Sequence, residues 1–152
     1  MRGPGLVALA ASIALARAAA IAQDGSRSEA AEWVANARAG RAVAGAAARL
    51  EVEIAARGGF HINDEYPLNF RPTPSEGATF PKRRFDRDDG LALEPCATGG
   101  RDACVARLPV PFTPKEPGPL SLSGTVHFSV CNPEKCLIQK VELAVPVEVL
   151  ER

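Results

Sequence analysis

The chain has 152 residues, and its 18 basic and 18 acidic side chains balance to a net charge of zero. Because there is no basic excess to neutralise phosphates, nucleic acid is not an expected partner. A chain of this length with 46% hydrophobic residues can form one domain with a hydrophobic core.

Residues 1–22 have the features of an export signal. A short positive start precedes an uncharged apolar run over residues 6–16, and residues 20–22 (Ala-Ile-Ala) form an A-x-A pattern that predicts cleavage before Gln23. The apolar run is shorter than the roughly 20 residues that a membrane-spanning helix needs. We therefore expect a signal peptide cleaved near Ala22. The exported chain would have no membrane span and would keep 16 basic and 18 acidic residues.

Residues 23–42 are predicted to form an N-terminal arm. The segment is rich in Ala and Arg, and Glu29 and Glu32 suit the first turn of a helix that begins at Ser28. The same composition fits a frayed leader. A short N-terminal helix and an unstructured arm are therefore both open, and Trp33 is expected to be a packing anchor.

Short strands dominate the pattern from residue 43 to residue 152. Leu50, Val52 and Ile54 alternate with charged residues, which indicates a strand with one buried face. Prolines punctuate residues 64–82, and residues 105–112 contain two prolines typical of an edge strand. The last strand, residues 141–149, is apolar at every second position. Seven or so short strands joined by Pro and Gly turns predict an all-β fold, a β-sandwich.

Residues 124–143 predict a β-hairpin with a cysteine on each arm beside the turn. The sequence Asn132-Pro133-Glu134-Lys135 suits the turn, because Asn favours its first position and Pro its second. A four-residue loop places Cys131 opposite Cys136, with the Cα atoms roughly 4.5–5.5 Å apart, which overlaps the range a disulfide spans. Both sulfurs are expected on the face opposite the apolar one. A disulfide exposed in this way tends to be reducible.

Cys96 and Cys104 form a second local pair around Gly99 and Gly100, and we expect a structural disulfide there. Four cysteines allow three pairings, so this connectivity is an inference. A four-cysteine metal site is the alternative. The C-x7-C and C-x4-C spacings fit zinc sites poorly, and export favours oxidation, so no metal is expected.

His61 lies in a short strand after Gly58 and Gly59, with its side chain expected to face outward. Asp64 and Glu65 follow it, but transition-metal sites usually need several nitrogen or sulfur ligands. With no second histidine nearby, a plain turn after His61 is preferred to a metal site.

The cysteine hairpin resembles that of the periplasmic N-terminal domain of the thiol:disulfide interchange protein DsbD. The family pattern G-x-(apolar)-x-(apolar)-x-x-C-x4-C-(apolar) corresponds to residues 124–137, and residues 59–61 (Gly-Phe-His) are similar to its Gly-aromatic-His/Tyr strand end. The resemblance covers roughly residues 43–150. It implies an immunoglobulin-like antiparallel β-sandwich over residues 43–152, and the catalytic cysteines of the family fall on Cys131 and Cys136. Many relatives have prolines soon after the second cysteine, whereas residues 137–139 continue without one.

The resemblance implies an exported, periplasmic thiol-disulfide exchange module that passes electrons or disulfides to partner proteins. In the family these partners are periplasmic thioredoxin-like or other redox proteins, including disulfide isomerases and cytochrome c maturation proteins. No cofactor is implied. The chain has no C-x-x-C motif of its own, so donor and acceptor would be separate proteins. Lys135 would favour a thiolate on Cys136 and thus modulate its pKa, whereas Glu134 would oppose it.

A second function stays open, namely an immunoglobulin-like binding or structural domain with two inert disulfides, since most paired cysteines in exported domains are structural. The sequence does not decide which cysteine attacks. It also does not decide whether the chain is an enzyme; if it is one, the resemblance implies a protein-disulfide oxidoreductase. Motifs of hydrolases (G-x-S-x-G, H-E-x-x-H) and of c-type haem attachment are absent from the sequence.

Overall fold

The computed structural model describes residues 25–152, and the predicted signal peptide lies outside this range. The strands are β1 (Ser26–Glu29), β2 (Trp33–Ala39), β3 (Ala42–Val43), β4 (Ala48–Ala56), β5 (His61–Ile62), β6 (Asn69–Pro72), β7 (Ala78–Thr79), β8 (Ala92–Pro95), β9 (Ala103–Pro114), β10 (Gly118–Cys131) and β11 (Cys136–Leu150). One turn of 3-10 helix, Arg87–Asp89, is the helical structure among these residues. Within the same range no helix is long and apolar enough to cross a membrane.

The strands form one hydrogen-bonded sheet in the order β1-β2-β4-β9-β5-β10-β11-β3, with β6 beside β10 and with β7 and β8 beside β9. All pairs are antiparallel except β11 with β3. The sheet curls back on itself. Three strands separate β2 from β10 in the order, yet Trp33 on β2 packs edge-on against Phe128 on β10, with ring centroids 5.2 Å apart. The fold is therefore all-β and immunoglobulin-like, as predicted.

The interior between the two halves of the sheet is a single hydrophobic core. Its largest fully buried side chains are Phe70, Phe85, Phe112, Phe128, Leu50, Ile54, Leu108, Leu122 and Leu143. Leu50, Val52 and Ile54 each have 1% exposure, so the predicted half-buried strand at β4 is confirmed. In β11 the predicted alternation is also confirmed, since every second residue from Val141 to Val149 is buried.

Both expectations for the N-terminal arm, a short helix and an unstructured segment, are wrong for residues 26–39. Residues 26–39 form an antiparallel hairpin of β1 and β2, and β2 pairs along its whole length with β4. Trp33, Ala35 and Ala37 are buried at a spacing of two residues, because small alanine side chains fit between the packed strands. Tertiary pairing here overrides the helix propensity of alanine. The sheet thus begins before residue 43, and Trp33 is the predicted packing anchor.

The prolines of β9 lie where the strand has one open side. β9 pairs with β4 over residues 105–112 and with β8 over residues 103–107. Among the described residues, the stretch that holds Pro109 and Pro111 therefore has a neighbour on the β4 side only. A residue without an N–H is tolerated at such an edge. The predicted edge strand is therefore confirmed for the stretch with the two prolines, whereas the first residues of β9 lie between two neighbouring strands.

Candidate functional site at the cysteine hairpin

The hairpin of β10 and β11 has the predicted register over 14 residue pairs, with Val130 opposite Leu137 and Cys131 opposite Cys136. The Asn132 side chain organises the turn, because its Oδ1 accepts hydrogen bonds from the N–H groups of Glu134 (3.0 Å) and Lys135 (2.9 Å). The Asn132 N–H donates in turn to the Lys135 carbonyl at 2.9 Å. This turn holds the two cysteines directly opposite each other.

Cys131 and Cys136 are joined by a disulfide, with their Cα atoms 4.0 Å apart. The two residues differ in exposure: Cys131 is 7% exposed, whereas Cys136 is exposed to solvent. The expectation that both sulfurs lie near the surface is thus wrong for Cys131. Cys131 is covered because β5 pairs with β10 on the side away from β11 and places His61 beside Cys131. One end of the bond is covered and the other is open.

His61 is a part of this site that the cysteine motif did not predict. β5 lies between β9 and β10 and pairs with both. Paired residues of antiparallel strands project to the same face, so the His61 side chain lies on the face of Cys131. The ring is 30% exposed, and its Nδ1 is 3.9 Å from Oδ2 of Asp102. In the sequence, the likeness of residues 59–61 to the Gly-aromatic-His/Tyr strand end singles out His61, but its pairing with Cys131 depends on the order of the strands.

Asp102 belongs to the loop closed by the second disulfide. Cys96 and Cys104 are bonded with their Cα atoms 4.7 Å apart, and the Cys96 N–H donates to the Asp102 carbonyl at 2.9 Å. Gly99 and Gly100 both have positive φ, 83° and 98°, a conformation that glycine adopts without strain. The predicted pairing of the four cysteines into two local disulfides is present. None of the four is therefore free to bind a metal as a thiolate.

Lys135 lies in the turn and is exposed, with both of its backbone polar groups bonded to Asn132. Among residues 25–152 its side chain forms no ion pair, and no cluster of three or more His, Cys, Asp or Glu side chains is arranged to hold a metal. The role of Lys135 in lowering the pKa of Cys136 stays a prediction.

His127, the second histidine, lies four residues before Cys131 on β10. It is paired with Lys140 on one side and with Asn69 on the other. Its pKa is lowered, chiefly by partial burial and then by the positive charges of Arg71, Lys140 and Arg84. Four residues along a strand span about 13 Å, so His127 is too far from the disulfide to exchange a proton with it directly.

A groove of about 380 Å³ lies beside His61 and is lined by Phe60, Thr98, Asp102 and the Cys96–Cys104 bond. A neighbouring groove of about 350 Å³ shares His61 and Asp102 with it and continues past Leu93, which is one of the exposed large apolar side chains. The outer side of His61 is thus accessible from solvent along β8.

Comparison with known proteins identifies a similar fold. No family model and no curated protein matches the sequence. The structure is similar to that of the N-terminal periplasmic domain of ScsB from Proteus mirabilis, with a TM-score of 0.50 and 12% sequence identity. The match covers 80% of this chain and 50% of that one, so this chain spans about half of the length of its structural neighbour. At this identity the likeness concerns the fold.

Proposed function

We propose that the protein is an exported thiol-disulfide exchange module that passes electrons or disulfides to partner proteins through Cys131 and Cys136. The observation that carries this proposal is the unequal exposure of the bond, with Cys136 open to solvent and Cys131 covered. Exchange requires an attacking thiolate to reach one sulfur in line with the bond. An exposed Cys136 at the end of a hairpin, beside a turn, provides that access.

The unequal exposure supports different roles for the two sulfurs in this proposal. A partner thiolate attacks Sγ of Cys136, the Cys131–Cys136 bond breaks, and Cys131 leaves as a thiolate. A second thiolate of the partner then attacks the partner sulfur of the mixed disulfide and releases Cys136 as a thiolate. The partner dithiol has become a disulfide and the hairpin has gained two electrons. The reverse sequence reduces a partner disulfide. Only sulfur atoms react, so no cofactor is needed.

The proposed partners are periplasmic thioredoxin-like or other redox proteins. Two observations support this class: the sequence resemblance of residues 124–137 to the DsbD N-terminal domain, and a fold similar to a periplasmic domain. Both are compatible with the predicted signal peptide and with a periplasmic location. Lys135 and Glu134 in the exposed turn would meet such a partner first.

The alternative function is an immunoglobulin-like binding or structural domain with two inert disulfides. The burial of Cys131 favours this alternative, because a covered sulfur is protected from attack. The two functions differ in what they require of the Cys131–Cys136 bond: an exchange module needs a bond that partners can reduce, and a structural domain needs one that resists reduction.

The deciding experiment is the reduction potential of the Cys131–Cys136 bond. The mature protein is equilibrated in glutathione and dithiothreitol redox buffers, its thiols are trapped, and the labelled cysteines are located by peptide mass. A potential near or above about −230 mV is expected for exchange, whereas a bond that stays oxidised below about −300 mV is structural. The Cys96–Cys104 bond serves as the internal reference for a structural disulfide in the same sample.

A further inference from the structure

His61 and Asp102 extend the candidate site beyond the two cysteines. Since β5 lies between β9 and β10, His61 has Cys131 as its cross-strand partner on one side. In such a pair the Cβ atoms are about 5 Å apart and both side chains lie on one face. On the other side, Nδ1 of His61 lies 3.9 Å from Oδ2 of Asp102.

Asp102 is held in place by the second disulfide. The loop that carries it is closed by the Cys96–Cys104 bond, and the Asp102 carbonyl accepts the Cys96 N–H at 2.9 Å. The Cys96–Cys104 disulfide therefore restrains the backbone of the residue whose carboxylate lies next to the imidazole. An acid that orients a histidine beside a nucleophile is a recurring arrangement for activating serine and cysteine.

The other charged groups around His61 are Arg57, Arg101 and Asp64, which line the same two grooves. Arg57 donates to the Ala30 carbonyl at 3.0 Å and lies 3.5 Å from Glu29, so its charge is shared with groups away from His61. Asp64 and Arg101 lie on the β8 side of the ring. Among the described residues, Asp102 is the carboxylate at ion-pair distance from His61.

We propose that His61 is the acid-base residue of Cys131 and that Asp102 is a positioning residue that orients the His61 ring. This inference rests on the proposed function. When the hairpin reduces a partner, Cys136 forms the mixed disulfide, and His61 takes the proton from the Cys131 thiol. The Cys131 thiolate then attacks Sγ of Cys136, the Cys136–partner bond breaks, and the partner leaves as a thiolate. In the reverse direction His61 returns the proton to the departing Cys131.

The test is a titration of the Cys131 thiol by its thiolate absorbance at 240 nm. In the background Cys136→Ser, with Cys96–Cys104 still oxidised, Cys131 is the one free thiol. The variant His61→Gln is added to this background. His127→Gln is the matched control, because His127 lies on the same strand as Cys131 but four residues away. Asp102→Asn tests the positioning residue without altering the sheet, since the Asp102 side chain is 66% exposed.

The expected result is a pKa of Cys131 that rises by about one unit or more with His61→Gln, since a neighbouring imidazolium favours a thiolate. Asp102→Asn should raise it by less, and His127→Gln should leave it unchanged. An unchanged pKa with His61→Gln, or an equal rise with His127→Gln, overturns the proposal. If His61→Gln does not fold, an unchanged pKa of Cys131 in Asp102→Asn overturns the proposed roles of Asp102 and His61.

This test is separable from that of the proposed function. The titration needs neither a partner nor turnover, and it can be made whether the Cys131–Cys136 bond of the parent protein is redox-active or structural. A potential below about −300 mV together with a raised Cys131 pKa in His61→Gln would refute exchange and retain the coupling between His61 and Cys131. A potential in the exchange range with no effect of His61→Gln would retain exchange and refute the role of His61.

Discussion

His61 and Cys131 are cross-strand partners, although 70 positions separate them in the sequence. The pairing places an imidazole against the covered end of a disulfide whose other end, Cys136, is open to solvent. The short strand β5 both covers Cys131 and places His61 beside it. A hairpin that would otherwise expose two similar sulfurs therefore exposes two different ones.

Removing the hairpin bond should change stability only moderately. Cys131 and Cys136 are five residues apart, and a bond that closes so short a loop contributes about 2 kcal/mol through chain entropy. The variant Cys131→Ala with Cys136→Ala should therefore keep the fold and lose about 2 kcal/mol of unfolding free energy, measured by urea denaturation. A loss of twice that size would identify the bond as a structural element of the hairpin.

Cys136 should react faster than Cys131 with a small disulfide. The single variants Cys131→Ala and Cys136→Ala each leave one of the two thiols, and both are treated with an aromatic disulfide reagent. The rates are measured over a range of pH and compared at their high-pH plateaus, where both thiols are ionised, so that access decides the difference. We expect Cys136 to react at least about tenfold faster because Cys131 is buried. Equal rates would contradict the assignment of Cys136 as the attacked sulfur.

Removing the second disulfide should loosen the loop and leave exchange in place. In Cys96→Ala with Cys104→Ala, hydrogen exchange over residues 96–104 should increase, because this loop is largely exposed and is closed by the bond. The reaction through Cys131 and Cys136 should persist, with at most the partial effect expected of a displaced Asp102. A complete loss of exchange would instead place the reactive bond at Cys96–Cys104.

The N-terminal hairpin should contribute to global stability. Trp33 is 6% exposed and packs on Phe128, so Trp33→Ala should cost about 3–5 kcal/mol of unfolding free energy. Arg38→Ala on the same strand is the control, because its ion pairs are at the surface and such pairs are worth about 1 kcal/mol or less. Similar losses in the two variants, measured by chemical denaturation, would show that β2 is not anchored in the core.

Local patterns were sufficient for the elements whose contacts are close in the chain. The cysteine hairpin, its Asn-Pro turn and the Cys131–Cys136 register follow from alternation and turn chemistry over some 20 residues. The buried faces of β4 and β11 follow from their period of two. In these segments the residues that pack together are set by strand geometry alone, so the sequence by itself determined them.

The N-terminal segment and the environment of Cys131 were decided by the tertiary structure. Residues 26–39 have a composition that favours a helix, and they form strands because β2 can pair with β4 and bury Trp33 against Phe128. Cys131 has the alternation of an outward residue, yet β5 and His61 cover it. Which strand lies beside which depends on the curling of the whole sheet around one core. The sequence therefore determined the disulfide, and the fold decided that its two sulfurs differ.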